Sequence, residues 1–586
     1  MLHKPFHFFI GCTAVLLLAA AVSSCKKILE QVPKNSTYLE VYWKSARDCE
    51  SAIAGNYSLL RAALTDASSY DGSAYKYYMY GDAETSNQTY FNMNYNGDGL
   101  EGIQGGDFTF QYNLQTLGNW TQFYKVIAMS NTILKQVPLI DNELLTKDVS
   151  DVEEYKNKIM GQALFIRAYA YFMLTRVYGD VPLVTEAYDD PLTAPQLPRS
   201  DRALVMKQIE DDCHQAAAML NWGYESLAER AVTANRGSVY ALLTHLYLWR
   251  GTMSNLTATE PDMNDVYNAD TTLQTLLSSG GYMLQDTAKY GQQFIGRSSE
   301  SIFELNMSEN TQEGAYSHIG MEFLTGNYIN GFGNTPRCQV TDGYFSKHYN
   351  KPQTGYGYNY YWNGSDYEWI ELKVVGDRYY RQVNGTGAFT EDVTDGVYYT
   401  GGYAYVYNPA IDDYDYLMVG GFGKDAGDVR FRNNFDGTIC KKYSNVTYRN
   451  PAQQTSPYLS NNMVLFRLSD MKLLQAEIAL YQNNTVKAHD ILLDWQIRNN
   501  VDSLIRVKSD DDKETLMYKY MVERGKEFYL EGQLYWDLMR TRMYTEFIPW
   551  LSTARFQAGG FYWPIDPVLF KDNRLLTQTS YWRGKV

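Results

Sequence analysis

ALFIRAYAYFMLTRVYGDVP, residues 163–182, closes a run from Val152 to Tyr178 whose apolar residues recur at three- and four-residue spacing. That period is the signature of an α-helix with a buried face. Working outward, similar spacing predicts helices over Ser45 to Leu64, Asn119 to Gln136, Arg202 to Leu220, Asn235 to Trp249 and Ala269 to Leu277. It returns over Leu465 to Tyr481, Val486 to Arg498 and Lys513 to Met543. Several helices follow one another as pairs joined by short turns, the pattern of a helix-turn-helix repeat.

Two blocks break this scaffold. Tyr70 to Tyr112 is rich in Tyr, Gly and Asn and lacks a 3.6 period, which predicts loops with little regular structure. Ser301 to Asn306 reads as a strand. From there to Asn445 Gly, Tyr, Asn and Asp dominate, with alternating runs such as Gly396 to Val406, which predicts irregular chain with short β-hairpins. Within it lies a Tyr-rich loop block, residues 346–424. The fold class is mainly α, with irregular loop-rich regions packed against the helices. Loops held by a rigid scaffold are where binding residues concentrate.

The chain has 586 residues, 45% of them hydrophobic and 20% charged, a globular balance. Its formal charge of −15 repels phosphate backbones, and no zinc-finger spacing or basic stripe appears, which excludes nucleic acid as a partner. Tyrosine is the unusual entry, with 52 residues. Its apolar ring and polar tip suit both cores and surfaces for amphipathic ligands.

The N-terminus is a targeting segment. Lys4 supplies a positive charge and Phe8 to Val22 an apolar run too short to span a bilayer. The run ends Val22-Ser23-Ser24-Cys25, which resembles a bacterial lipobox and predicts a signal peptide over residues 1–24 and lipidation of Cys25. A tether, Lys26 to Ser36, follows. Cys49, Cys213, Cys338 and Cys440 form no CxxC pair and are expected to be mostly buried and free. No histidine pair of the mature chain forms HxxxH or HExxH, the Gly97 to Gly106 run lacks a GK[ST] ending, and no GxSxG elbow occurs. No metal or cofactor is expected.

Residues 163–182 place Ala and Tyr as a tetratricopeptide unit does, though the full consensus fits poorly. A second resemblance covers nearly the whole mature chain. Arg167 to Phe172 followed by Tyr178-Gly179-Asp180-Val181-Pro182-Leu183-Val184 resembles the helix and "GDvPLv" turn of the SusD/RagB family. Gly280 to Leu284 with Ser299 to Glu304, Phe466 to Asp470 with Glu477, Glu523 to Asp537, and Trp563-Pro564-Ile565 with Asn573 to Gln578 are similar to further family segments, in the same order. Leu534 departs from the pattern, standing where the family usually has Arg. The resemblance implies a single domain over residues 25–586, with an N-terminal helical part to 300 and a C-terminal part from 301, built of tetratricopeptide-like helix pairs. It implies a cell-surface lipoprotein of the outer membrane that binds glycan, delivers it to a SusC-like TonB-dependent transporter and catalyses nothing. A peptide ligand, as in the RagB branch, and a surface glycoside hydrolase stand as alternatives.

Glu523, Glu527 and Glu531 recur every four residues, so they are expected to share one helix face, with Arg524 and Arg540 as candidate partners. Paired carboxylates serve in glycoside hydrolysis, but the resemblance makes this row structural. Arg467 and Asp470, three apart, are expected to pair, with Glu477 as a further acceptor. The ligand surface is expected in the two blocks. Trp362, Trp369, Tyr361 and Tyr358 in one, and Tyr78 and Tyr80 in the other, offer rings for stacking on apolar sugar faces. Asn363 and Asp366 offer polar groups for hydroxyls.

Overall fold

The computed structural model describes residues 42–65, 76–83, 91–93, 100–109, 111–188, 194–307, 323–331, 333, 336, 338–351, 356–362, 365–375, 378–383, 391–393, 397–400, 403–409, 412–418 and 423–586. Cys25 and Asn363 lie outside them. For Tyr358, Tyr361, Trp362 and Trp369 the backbone alone is described.

Helices α1 (Ala46–Thr65), α2 (Thr121–Gln136), α3 (Val152–Tyr178), α4 (Arg202–Met219), α5 (Arg236–Met253) and α6 (Met263–Ser279) each pack on the next, and α1 also packs on α3. Helix α3 is the axis of this half. Asp151 caps its first turn by accepting from the Glu154 N–H, and Gly179, at φ 73°, ends it. Every residue from Gly161 to Tyr178 is buried, which is why this stretch is apolar around its whole circumference. Its one charge in the first part of that run, Arg167, is neutralised by Asp212 of α4 at 2.6 Å.

Strand β1 (Ser301–Leu305) follows. Cys338–Val340 pairs antiparallel with Phe91–Met93, so the first Tyr-rich block is stitched to the approach of the second. A short helix, Asp342–His348, leads to Asn350–Lys351, which pairs with Gly423–Lys424. Everything between departs and returns through this two-stranded neck. The insertion carries β2 (Tyr356–Trp362), β3 (Tyr367–Val375) and β4 (Arg378–Val383), joined by Glu391–Asp392 into a four-stranded antiparallel meander. A three-stranded sheet of β5 (Val397–Thr400), β6 (Tyr403–Asn408) and β7 (Asp413–Met418) follows. Arg381 of β4 is buried and donates to the Tyr407 carbonyl at 2.9 Å, tying the two sheets. The short hairpins predicted for this region are present, and they join into larger sheets. Runs such as Tyr367–Val375 alternate polar and apolar residues and pair as strands.

Strand β8 (Met463–Arg467) returns to pair with β1 and starts the second helical group: α7 (Leu468–Tyr481), α8 (Thr485–Arg498), α9 (Lys513–Glu527) and α10 (Leu534–Arg540). Helix α7 packs on α6, α8 and α9, and α10 on α5, so both halves share one core. The long helix expected to Met543 breaks after Glu527. Leu530 and Gly532 take positive φ, 57° and 69°, and the turn they make brings Gly532 against Gly81. Ideal Cβ geometry at Gly81 falls 2.1 Å from the Gly532 carbonyl oxygen, an approach that only a residue without Cβ permits.

The first block also departs from expectation. Lys76–Tyr78 is a helical turn and Met79–Ala83 a π-helical one, and Tyr77, Met79 and their neighbours lie in the core. Asp82 accepts from the Gly532 N–H at 2.7 Å, fastening this segment beneath α10. Cys49, Cys213 and Cys440 are buried and free. Among the described residues, no helix is long and apolar enough to cross a membrane.

Candidate functional site

The glutamate row is fully buried, and its partners are not those that local spacing suggests. Glu523 accepts from Arg430 at 2.7 Å, and Arg430 also grips Asp428 at 2.7 Å. Glu527 and Glu531 each accept from Arg467 at 2.8 Å, and Lys442 completes Glu531. Glu531 lies beyond the helix end, so the three do not share a helix face. Arg467 pairs with Glu300 at 2.8 Å, not with Asp470. Asp470 instead binds His245 at 2.6 Å and Arg524, while Arg524 and Arg540 both hold Asp537. Glu477 takes a bidentate grip from Arg540 and a bond from Tyr520.

Burial opposes charge on Glu523 and Glu531, but the cations overcome it. Arg430 and Lys526 hold Glu523 below the ordinary carboxylate range, and Arg467 and Lys442 do the same for Glu531. A general acid of a glycosidase needs a raised pKa and access to substrate. Glu523 and Glu531 have neither. The row fastens distant segments: Asp428–Arg430, just after the neck, to α9, and β8 to the turn after α9.

That network underlies the foot of the insertion. The Tyr349 carbonyl, at the entry, accepts from the Asp425 N–H at 2.8 Å, at the exit. Asp425 in turn accepts from the Asp502 N–H at 2.9 Å. Tyr344 donates to the Gly525 carbonyl at 3.0 Å, and the Lys424 ammonium sits 4.1 Å from the Phe345 ring centroid. Tyr344, Phe345, Tyr349, Phe435 and Tyr529 pack edge to face or tilted about this root.

Of the predicted surface residues, Tyr78 and Tyr80 are misplaced. Both are buried, with Tyr80 at 0% exposure. The Tyr80 hydroxyl donates to the Leu117 carbonyl at 2.7 Å and meets the Tyr178 hydroxyl at 2.9 Å, and its ring stands edge-on to Trp563. The Tyr78 ring packs edge-on against Tyr77 and Tyr443. These rings lie in the core, and the Tyr80 hydroxyl is already spent on Leu117 and Tyr178. The other predicted residues fall on the first insertion sheet. Register sets Trp362 opposite Tyr367, Tyr360 opposite Trp369, Tyr361 opposite Glu368 and Tyr358 opposite Glu371. Asp366 is exposed in the turn between β2 and β3.

The second sheet holds a pair that sequence reasoning missed. Tyr407 and Tyr414 are opposite one another across β6 and β7, exposed by 44% and 40%, with ring centroids 5.5 Å apart at 67°. The Tyr407 hydroxyl donates to Asp412 at 2.6 Å. Register aligns Tyr398, Tyr405 and Tyr416 in the next-but-one row. The signal was legible: Tyr403, Tyr405 and Tyr407 alternate, as do Tyr414 and Tyr416.

Two family models match the chain. One, described as starch-binding and associating with the outer membrane, covers residues 29–248, and the SusD family model covers residues 299–582. A SusD-like protein of Formosa agariphila is 22% identical over 567 residues, spanning 92% of each chain. Among solved structures, a SusD homologue from Bacteroides thetaiotaomicron is 19% identical with a TM-score of 0.65, covering 92% of this chain and 100% of its own. Bacteroides fragilis NanU is 18% identical with a TM-score of 0.59, covering 92% and 97%.

Proposed function

Since the chain belongs to the SusD family, whose members are outer-membrane-associated binding proteins, we propose that it is a cell-surface lipoprotein, anchored through Cys25, that captures glycan and passes it to a SusC-like TonB-dependent transporter. The observation that carries this reading is the Tyr-rich insertion, which leaves and rejoins the chain through a two-stranded neck and carries the exposed Tyr407–Tyr414 pair. Aromatic faces stack on the apolar C–H faces of sugar rings, while Asp366, Asn363 and Asp412 supply polar groups for hydroxyls. Trp362 and Trp369 offer the largest rings on the first sheet, with Tyr358 and Tyr361 beside them. The helical body supplies rigidity, and its buried charges take no part in chemistry.

The test is calorimetry of Trp362→Ala, Trp369→Ala and Tyr407→Ala against a panel of polysaccharides and peptides. Loss of a stacking ring is expected to weaken binding of at least one polysaccharide by about 1–3 kcal/mol, the scale of an aromatic anchor. Three folded variants that bind as the parent does would remove the insertion from the ligand surface. Binding confined to peptides would replace glycan with peptide as the ligand.

A further inference from the structure

A cleft of about 530 Å³ opens beside the end of α3. Asp180, Arg199, Arg202, Tyr562 and Arg583 line it, and no residue of the insertion does. Its size falls in the range of small-molecule sites, roughly 300–1,000 Å³.

The charges in this cleft are unbalanced. Among the described residues none of the three arginines forms an ion pair. Arg199 spends its guanidinium on main-chain oxygens: Nε on Asp180 at 2.7 Å, Nη1 on Thr577 at 3.3 Å and Nη2 on Tyr178 at 3.2 Å. Those bonds fix its position without neutralising it. Arg202 makes one side-chain bond, from Nη2 to the Ser254 carbonyl at 2.9 Å. Asp180 is the one carboxylate of the lining, and it accepts from the Arg202 backbone N–H at 3.0 Å.

Tyr562 supplies a second, independent observation. It is 5% exposed, and its buried hydroxyl has no hydrogen-bond partner. Native folds rarely leave such a group unsatisfied. Its position is fixed all the same. The ring packs on Phe561 at 4.2 Å between centroids, and its carbonyl accepts from Trp582 Nε1 at 2.6 Å. Burial keeps the phenol protonated, against the pull of Arg202, so the hydroxyl is available as a donor.

We propose that this cleft binds the carboxylate of an acidic sugar, with Arg202 and Arg199 providing the charge and the Tyr562 hydroxyl a donor. Guanidinium groups suit carboxylates by geometry as well as charge. The choice of a sugar as the carrier rests on the reading of the chain as a glycan binder. The carboxylate itself rests on the cleft alone.

The probes are glucuronate, glucose and acetate, titrated calorimetrically into the full mature chain at low salt. Glucuronate is expected to bind, with glucose and acetate at least about tenfold weaker. Arg202→Gln is expected to weaken glucuronate about tenfold or more, the scale of one charge-assisted hydrogen bond. Tyr562→Phe, which keeps the ring and the backbone bond to Trp582, is expected to weaken it severalfold with an unchanged melting temperature. If Arg202→Gln does not fold, Tyr562→Phe decides. Folded variants that bind glucuronate as the parent does, or a parent that binds glucose equally well, would overturn the proposal. Acetate binding as tightly as glucuronate would overturn the assignment to a sugar. A parent that binds neutral polysaccharide through the insertion but not glucuronate would sink this site and leave the proposed function standing.

Discussion

Arg430 and Glu523 meet at 2.7 Å across 93 residues of sequence, both out of contact with water. The bond joins the chain just after the neck to the C-terminal part of α9. Removing one member of such a pair leaves the other charged and buried, which costs far more than the pair contributes. Arg430→Met is expected to lower unfolding free energy by about 3–5 kcal/mol, read from urea denaturation. A loss below about 1 kcal/mol, the range of an exposed ion pair, would show the network to be solvated.

Glu527→Gln separates architecture from chemistry. Glu527 accepts from Arg467 at 2.8 Å inside the core, so the variant should melt at a lower temperature. Its folded fraction should bind ligand as the parent does. A stable Glu527→Gln protein that had lost a hydrolytic activity of the parent would promote the enzyme reading.

His348 predicts a pH dependence. Burial lowers its pKa from 6.5 to about 3, against the Tyr344 carbonyl that accepts from Nδ1, with Lys526, Lys347 and Arg430 lowering it further. The folded state therefore keeps the ring neutral while the unfolded chain protonates it. The stability it contributes is complete above pH 6.5 and is lost as pH falls toward 3. The stability difference between parent and His348→Gln should shrink by about 1.4 kcal/mol for each pH unit below 6.5. Using that difference cancels the buried acids Asp82 and Glu304, whose raised pKa values act in the opposite sense. A difference that stays constant from pH 7 to 5 would place the ring in water.

Gly81→Ala tests the plug under α10. The new methyl would lie far inside van der Waals contact with the Gly532 backbone, so one of the two segments must move. The expected cost is about 1–3 kcal/mol, the range for overpacking, with a lowered melting temperature. Gly55→Ala, where an added methyl meets nothing, is the control and should be neutral or stabilising.

Cys25→Ala is expected to release the protein from the membrane or leave it unprocessed. Unchanged membrane retention together with unchanged mass would count against lipidation.

The helical body was legible because its signal is periodic. Val152 to Tyr178 was read to the residue, and the strand at Ser301 within one. What failed was everything set by distant partners. Spacing alone proposed Arg524 for the glutamate row, but Arg430 and Arg467 arrive from other segments, and four-residue spacing carries no information about them. Tyr78 and Tyr80 were misread because composition does not separate a ring that stacks on ligand from one whose hydroxyl reaches Leu117. The helix break after Glu527 was hidden because the turn that follows it packs against Gly81 and Asp82, some 450 residues away. In the insertion, the alternation over Gly396 to Val406 held the strand signal, and β5 and β6 pair there as a hairpin; how the hairpins join into larger sheets is not written in the spacing.

The pairing of Asn350–Lys351 with Gly423–Lys424 has an evolutionary consequence. A segment that leaves and rejoins the body at neighbouring residues can be lengthened, shortened or exchanged without rerouting the chain. The scaffold's packing would register a change at the foot, where the Asp425 N–H donates to the Tyr349 carbonyl. With the ligand surface placed on the insertion as proposed, swapping this one cassette would retune recognition while the residues that keep the body folded stay under separate constraint.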